Sequence, residues 1–195
     1  VVTTSANSAT SGSTLSLFTL PTVTASSDAS NNTICSGTNV TLNGGGANSY
    51  VWNNGVTNNA LFTPIATNSY TVTGTDGNGC VNTASITITV NNAVSISSQP
   101  VNAVVLPNTD ATFSVSATGT GLTYQWEENT GSTWSSITNG GIYSGATTNT
   151  LTLTNVSTGS GNQYRCVISG TTPCAAATTS HVTLTISSTA ITAQP

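Results

Sequence analysis

Apolar and hydroxyl-bearing residues alternate along most of this chain. In Ser85-Ile86-Thr87-Ile88-Thr89-Val90, Val182-Thr183-Leu184-Thr185-Ile186 and Phe113-Ser114-Val115-Ser116-Ala117, every second side chain is apolar. A period of two sends alternate side chains to opposite faces of a strand. Threonine is β-branched and suits the solvent face of a sheet. No window carries the three-and-four spacing of an amphipathic helix. The pattern predicts an all-β protein.

The strands fall in two series. The first is expected near 22–26, 38–43, 49–53, 60–63, 68–75 and 81–90. Gly44-Gly45-Gly46, Asn53-Asn54-Gly55 and Asp76-Gly77-Asn78-Gly79 punctuate it as turns. The second is expected near 94–98, 101–105, 110–117, 122–128, 134–137, 149–154, 162–169 and 178–187. The series echo each other. Tyr50-Val51-Trp52 returns as Tyr124-Gln125-Trp126, and Tyr70-Thr71-Val72 as Tyr164-Arg165-Cys166. Ile96-Ser97-Ser98-Gln99-Pro100 returns at the end as Ile191-Thr192-Ala193-Gln194-Pro195. Repetition at this period predicts tandem sandwich domains. A short domain spans 21–92, a larger one spans 93–188, and 189–195 begins a further repeat. Residues 1–20 are either the last strand of a preceding repeat or a linker. The connection Asn91-Asn92 is too short for loose beads and predicts stiff stacking.

Composition narrows the chemistry. Of 195 residues, one is Lys or Arg, five are Asp or Glu and one is His, for a formal charge of -4. Thr, Ser, Asn and Gly make up more than half of the chain. With Arg165 as the only strong cation, nucleic acid and anionic membranes are excluded as partners, and phosphoryl transfer lacks cations. No apolar run has the length of a membrane span, so no membrane insertion is expected. The low-complexity composition still carries 36% hydrophobic residues in period-two order, which a disordered tract would lack.

The four cysteines divide two and two between the domains: Cys35 and Cys80, then Cys166 and Cys174. Without Cys-x-x-Cys and with one His, no zinc site is expected. Even number and even partition predict disulfides Cys35–Cys80 and Cys166–Cys174 in an oxidising compartment. A hairpin turning near Gly170 would set Cys166 opposite Cys174.

Catalytic constellations are scarce. His181 on the last strand reads as an ordinary strand residue. Glu127 and Glu128 are adjacent on a strand, point to opposite faces and cannot flank one glycosidic bond, so they read as a solvated strand end. Asp28 and Asp110 read as loop residues. Asp76-Gly77-Asn78-Gly79 holds one carboxylate, too few for calcium, and reads as a hairpin turn. Trp52 and Trp126 read as core. Trp134 follows Ser-rich sequence and is a possible ligand contact, with packing against the domain as the alternative. Asn31, Asn39 and Asn155 fit the N-glycosylation sequon. No cofactor and no enzymatic activity are expected.

Several phrases carry a family likeness. Ala111-Thr112-Phe113-Ser114-Val115-Ser116-Ala117, Gly121-Leu122-Thr123-Tyr124-Gln125-Trp126, Asn139-Gly140-Gly141-Ile142-Tyr143-Ser144-Gly145 and Gln163-Tyr164-Arg165-Cys166-Val167 resemble a bacterial immunoglobulin-like (Ig-like) domain. The first series resembles shorter Ig-like or PKD-like repeats through Ile34-Cys35-Ser36-Gly37, Tyr50-Val51-Trp52, Phe62-Thr63-Pro64 and Gly79-Cys80. Such repeats build large secreted surface proteins of Bacteroidetes, including gliding-motility adhesins, filaments and stalks of enzymes exported by the type IX pathway. The resemblance implies Trp126 as the core Trp of strand C and Tyr164 as the tyrosine corner, with Tyr50, Trp52, Tyr70 and Tyr124 as the other signature residues. Val115 stands where the strand-B cysteine would be, so the usual inter-sheet disulfide is not expected.

The combined expectation is a non-catalytic, extracellular stalk or adhesin segment, flanked by further Ig-like repeats of the same protein. Two alternatives remain. One is a filament subunit pairing through uncharged edge strands with like copies. The other is a carbohydrate-binding module of a secreted enzyme, contacting surface glycans through Trp134.

Overall fold

The computed structural model describes residues 17–187. The expectations for residues 1–16 and 188–195 lie outside the described residues. Residues 17–20 carry no strand, and Leu17, Phe18 and Leu20 are exposed. The chain divides into two compact units, one ending at Val90 and the other beginning at Asn91.

Unit 1 contains β1 (Thr24–Ser27), β2 (Thr33–Cys35), β3 (Val40–Gly45), β4 (Ser49–Trp52), β5 (Leu61–Phe62), β6 (Asn68–Thr75) and most of β7 (Val81–Asn91). One sheet has the order β1-β3-β5 and the other β2-β7-β6-β4. Between them lie Ile34, Val40, Leu42, Trp52, Tyr70, Val72 and Ile88. β6 shows why the pattern works. Tyr70 and Val72 point inward while Thr71, Thr73 and Thr75 point outward. β2 is a strand the sequence pattern did not reveal, because Thr33-Ile34-Cys35 is too short to show a period.

The glycine run 44–46 departs from expectation. β3 continues through Gly45, and only Gly46 has the positive φ of a turn residue (φ 83). Gly44 is there for close approach: a Cβ at this position would lie 2.7 Å from Cδ1 of Tyr50. The Asn54-Gly55 turn is as expected, with both residues at positive φ (55 and 72) and Val56 N–H donating to Asn53 O.

Unit 2 contains β8 (Ser95–Ser98), β9 (Ala103–Val105), β10 (Thr109–Ser114), β11 (Ser116–Thr118), β12 (Thr123–Asn129), β13 (Trp134–Ser136), β14 (Tyr143–Ser144), β15 (Thr150–Val156), β16 (Gln163–Ser169), β17 (Ala177–Thr178) and β18 (Val182–Ile186). The larger sheet runs β13-β12-β16-β18-β9, with β17 also on β16. A second sheet has the order β10-β15-β14, and β8 pairs with β11. Trp126, Phe113, Tyr164, Leu151, Leu153, Ile168 and Leu184 fill the space between the sheets. The one strand expected over 178–187 is two strands, because the chain breaks ladder at Thr179–His181 before rejoining β16. Asn91 and Asn92, expected as a bare connection, are tied to unit 2. Asn91 Nδ2 donates to Thr172 O, and Asn92 N–H donates to Thr120 Oγ1.

Candidate functional site

The signature aromatics define both cores. Trp126 is fully buried, its indole N–H donates to Thr148 O at 2.9 Å, and Phe113 lies against it at 6.4 Å. Phe113 also stacks on Tyr164 at 4.9 Å. Tyr124 is half-buried against the same core. In unit 1, Trp52 donates its indole N–H to Asn58 Oδ1, which also accepts from Gly44 N–H. Tyr70 is buried edge-on to Phe62, and the Tyr50 hydroxyl bonds both backbone groups of Ala47.

Glu128 is not a solvated strand end. With Trp126 facing inward, period two turns Glu128 to the same face. Its Oε1 accepts from Tyr143 OH at 2.9 Å, Tyr164 OH at 2.8 Å and Asn162 Nδ2 at 2.8 Å. Burial raises the Tyr143 phenol, and the carboxylate it donates to raises it further, to about 12. Burial followed by the Glu128 bond raises Tyr164 as well. A phenol raised above its unfolded pKa of about 10 contributes stability below that pH, which is lost as pH climbs through the folded value. Unit 2 is therefore expected to lose stability between about pH 10 and 12, in step with tyrosinate formation. Thermal unfolding monitored by phenolate absorbance checks this. Full phenol ionisation at about pH 10 with the fold intact would contradict it.

The other glutamate builds a cluster on the outer face of the larger sheet. Glu127 on β12 lies opposite Arg165 on β16, and Arg165 Nε donates to Glu127 Oε2 at 2.7 Å. The Arg165 guanidinium lies over the ring of Trp134 on β13, 4.2 Å from its centroid. The His181 ring stands 6.3 Å from Trp134, tilted by 49°. The chain's one strong cation, its one histidine and its one tryptophan outside the cores thus meet on one surface. Trp134 is half-buried rather than fully exposed, because Arg165 covers one ring face. The arrangement can present a guanidinium fixed on an aromatic base. Guanidinium over indole is a favourable electrostatic geometry.

The cysteines depart from the expected pairs. Cys80 and Cys166 are free thiols. Neither Cys35–Cys80 nor Cys166–Cys174 forms. The register explains the second case. Val167 pairs with Thr178, and Thr179 exchanges hydrogen bonds with the Cys166 backbone, so Cys166 faces Thr179 rather than Cys174. The turn after β16 is wider than a hairpin at Gly170 would be. Cys166 points into the core, where Val115 is also buried, and burial raises its thiol to about 11. Cys80 lies in the β6–β7 turn, where its N–H donates to the Asp76 carboxylate.

That turn is a hydrogen-bonded hairpin. Asp76 Oδ1 accepts from Asn78 and Cys80 N–H, which occupies it with backbone donors. Asp28 and Asp110 likewise cap backbone N–H groups, of Thr41 and Asn155. The Thr41 bond holds the Asp28 carboxyl below its ordinary value. Among the described residues, no three His, Cys, Asp or Glu side chains are grouped to hold a metal. The sequon residues Asn31, Asn39 and Asn155 are all exposed.

Neither a protein-family model nor a curated protein sequence matches this chain. Solved structures do match in fold. The N-terminal eight Ig domains of Down syndrome cell adhesion molecule align over 87% of this chain and 25% of that one, with TM-score 0.68 and 12% identity. The three N-terminal domains of the highly immunogenic outer capsid protein (Hoc) of bacteriophage RB49 align over 88% of this chain and 73% of that one, with TM-score 0.59 and 13% identity. Extracellular domains 3–5 of Drosophila OTK align over 80% and 59%, with TM-score 0.59 and 17% identity. This chain spans less than two thirds of the OTK and adhesion-molecule fragments. At such identities the likeness is one of fold: an all-β chain of Ig-like β-sandwiches in tandem.

Proposed function

We propose that this chain is a load-bearing, non-catalytic segment of an extracellular stalk or adhesin. The observation that carries this is the seam closing unit 2. β9, near the start of the unit, runs parallel to β18 at its end, with Ala103 opposite Leu184, Val104 opposite Thr185 and Val105 opposite Ile186. Ser187 N–H donates to Val105 O. Side chains lengthen the seam: Gln99 Oε1 accepts from Ser180 N–H and Asn102 Oδ1 from Thr183 N–H. Tension between the ends of the unit slides these two strands along each other. The bonds are then loaded together in shear instead of being peeled one at a time. A disulfide and a nearly uncharged, hydroxyl-rich surface suit an oxidising exterior.

Single-molecule stretching of the full chain tests the seam. The Val105 carbonyl faces β18, so its N–H faces the same way, and Val105→Pro removes that donor. The variant is expected to unfold at markedly lower force than the wild type. Leu153→Ala, a core truncation on the other sheet, is expected to reduce thermal stability by about 2–5 kcal/mol while lowering the force less. Equal loss of force in both variants would sink the load-bearing role.

A further inference from the structure

We propose that the Arg165–Trp134 surface of unit 2 is a binding site for carboxylated sugars, such as the uronic acid units of an anionic polysaccharide. This goes beyond the load-bearing role and stands or falls without it. Arg165 is the chain's only Lys or Arg and His181 its only His, so anion recognition by side-chain cations has one address. Glu127 engages the guanidinium through Nε alone, and among the described residues no hydrogen bond takes up its terminal amino groups. Those groups form the edge that matches a carboxylate in a two-point contact. Trp134 beneath and Glu127 beside hold the fork in one orientation, which lowers the ordering cost of binding. Arg165 keeps 30% of its side-chain surface in water.

The surroundings select a sugar over an acidic peptide. Asn129 pairs with both Trp134 and Gln163 across the ladder, so both amides share the face with the guanidinium. Amides suit sugar hydroxyls as donors and acceptors. The Trp134 and His181 rings offer apolar edges for the CH groups of a pyranose. Glu127 nearly balances the arginine charge, so a highly charged polyanion gains no general attraction, and recognition depends on local geometry.

The test is an NMR titration of the full chain with oligogalacturonate, with neutral galacto-oligosaccharide and with oligoglutamate. Saturable shifts are expected at the Arg165 Nε–H and Trp134 indole signals with the uronate. Binding is expected to be at least tenfold weaker for the neutral sugar, for the peptide and for Arg165→Gln. Absence of saturable uronate binding, equal binding of the neutral sugar or the peptide, or a full-affinity Arg165→Gln variant each overturns the proposal. Should Arg165→Gln melt early, the wild type at rising salt reads the same contact. Uronate binding must then weaken as salt screens the guanidinium, and salt-insensitive binding overturns the proposal.

Discussion

Glu128→Ala is expected to destabilise unit 2 by about 3–4 kcal/mol. One carboxylate oxygen satisfies two tyrosine hydroxyls and one amide, from three different stretches of chain. Hydrogen bonds to a charged acceptor are worth about 1.5–3 kcal/mol each. Removing the carboxylate also relieves the cost of holding a charge partly out of water, which offsets part of the loss. The remainder is large because Tyr164 is buried and its hydroxyl has no route to solvent of its own. Glu128→Gln keeps the acceptor and the shape but not the charge, and is expected to cost about 1–2 kcal/mol. Calorimetry of both variants checks this. The alanine variant should lower the unit 2 transition by at least about 10 °C and leave unit 1 in place. A shift of only a degree or two would show that Glu128 is a bystander.

Glu128 also marks where the sequence was legible and where it was not. Period two placed Trp126 inward, and the same alternation carried two residues further turns Glu128 inward. The signal was present in the pattern. Treating adjacent glutamates as a solvated pair missed it, because charged residues are rarely buried unless paired. The partners Tyr143 and Asn162 are distant in sequence, and Tyr143 lies on a two-residue strand that no periodicity can reveal. The same long-range dependence hid the outer cluster. Arg165 was visible as the only strong cation, His181 as the only histidine and Glu127 as one of two adjacent glutamates. Only the register of β12 and β16, with His181 just ahead of β18, brings them to Trp134.

The cores, by contrast, were legible. Trp52, Tyr70, Trp126 and Tyr164 are buried, and Tyr50 and Tyr124 are half-buried against the same cores. Large apolar side chains in alternating strands have few other places to go. The cysteines were not legible, because pairing depends on which strand faces which and by how many residues a turn is wide. The five-residue difference between a partner at Thr179 and one at Cys174 decides whether Cys166 meets a thiol. Low charge, which argued against nucleic acid and anionic membranes as partners, proved compatible with a fold whose outer faces carry threonine and serine. Thr71 and Ser85 share a hydrogen bond across one such face.

Trp126→Ala is expected to lower the urea midpoint of unit 2 far below that of the wild type. Truncating a buried Trp costs about 3–5 kcal/mol in general. Trp126 belongs at the upper end because it is fully buried and because its N–H satisfies Thr148 O. Its loss would strip Phe113 of a ring neighbour and leave a carbonyl without its donor. A domain of this size has about 5–15 kcal/mol in total, so the loss removes a third or more of what holds it. Trp126→Phe keeps an aromatic filler and loses the N–H, so it is expected to fall between alanine and the wild type. Urea unfolding followed by fluorescence checks the order, with Trp134 as a reporter because its environment depends on Arg165 on β16. An alanine variant with a wild-type midpoint would mean that β12 is held by its ladder alone. That outcome would remove the sandwich core as the support of the β9–β18 seam, since β16 carries both β12 and β18. If the core does support it, Trp126→Ala must also weaken the seam under tension, although it touches none of the seam's hydrogen bonds.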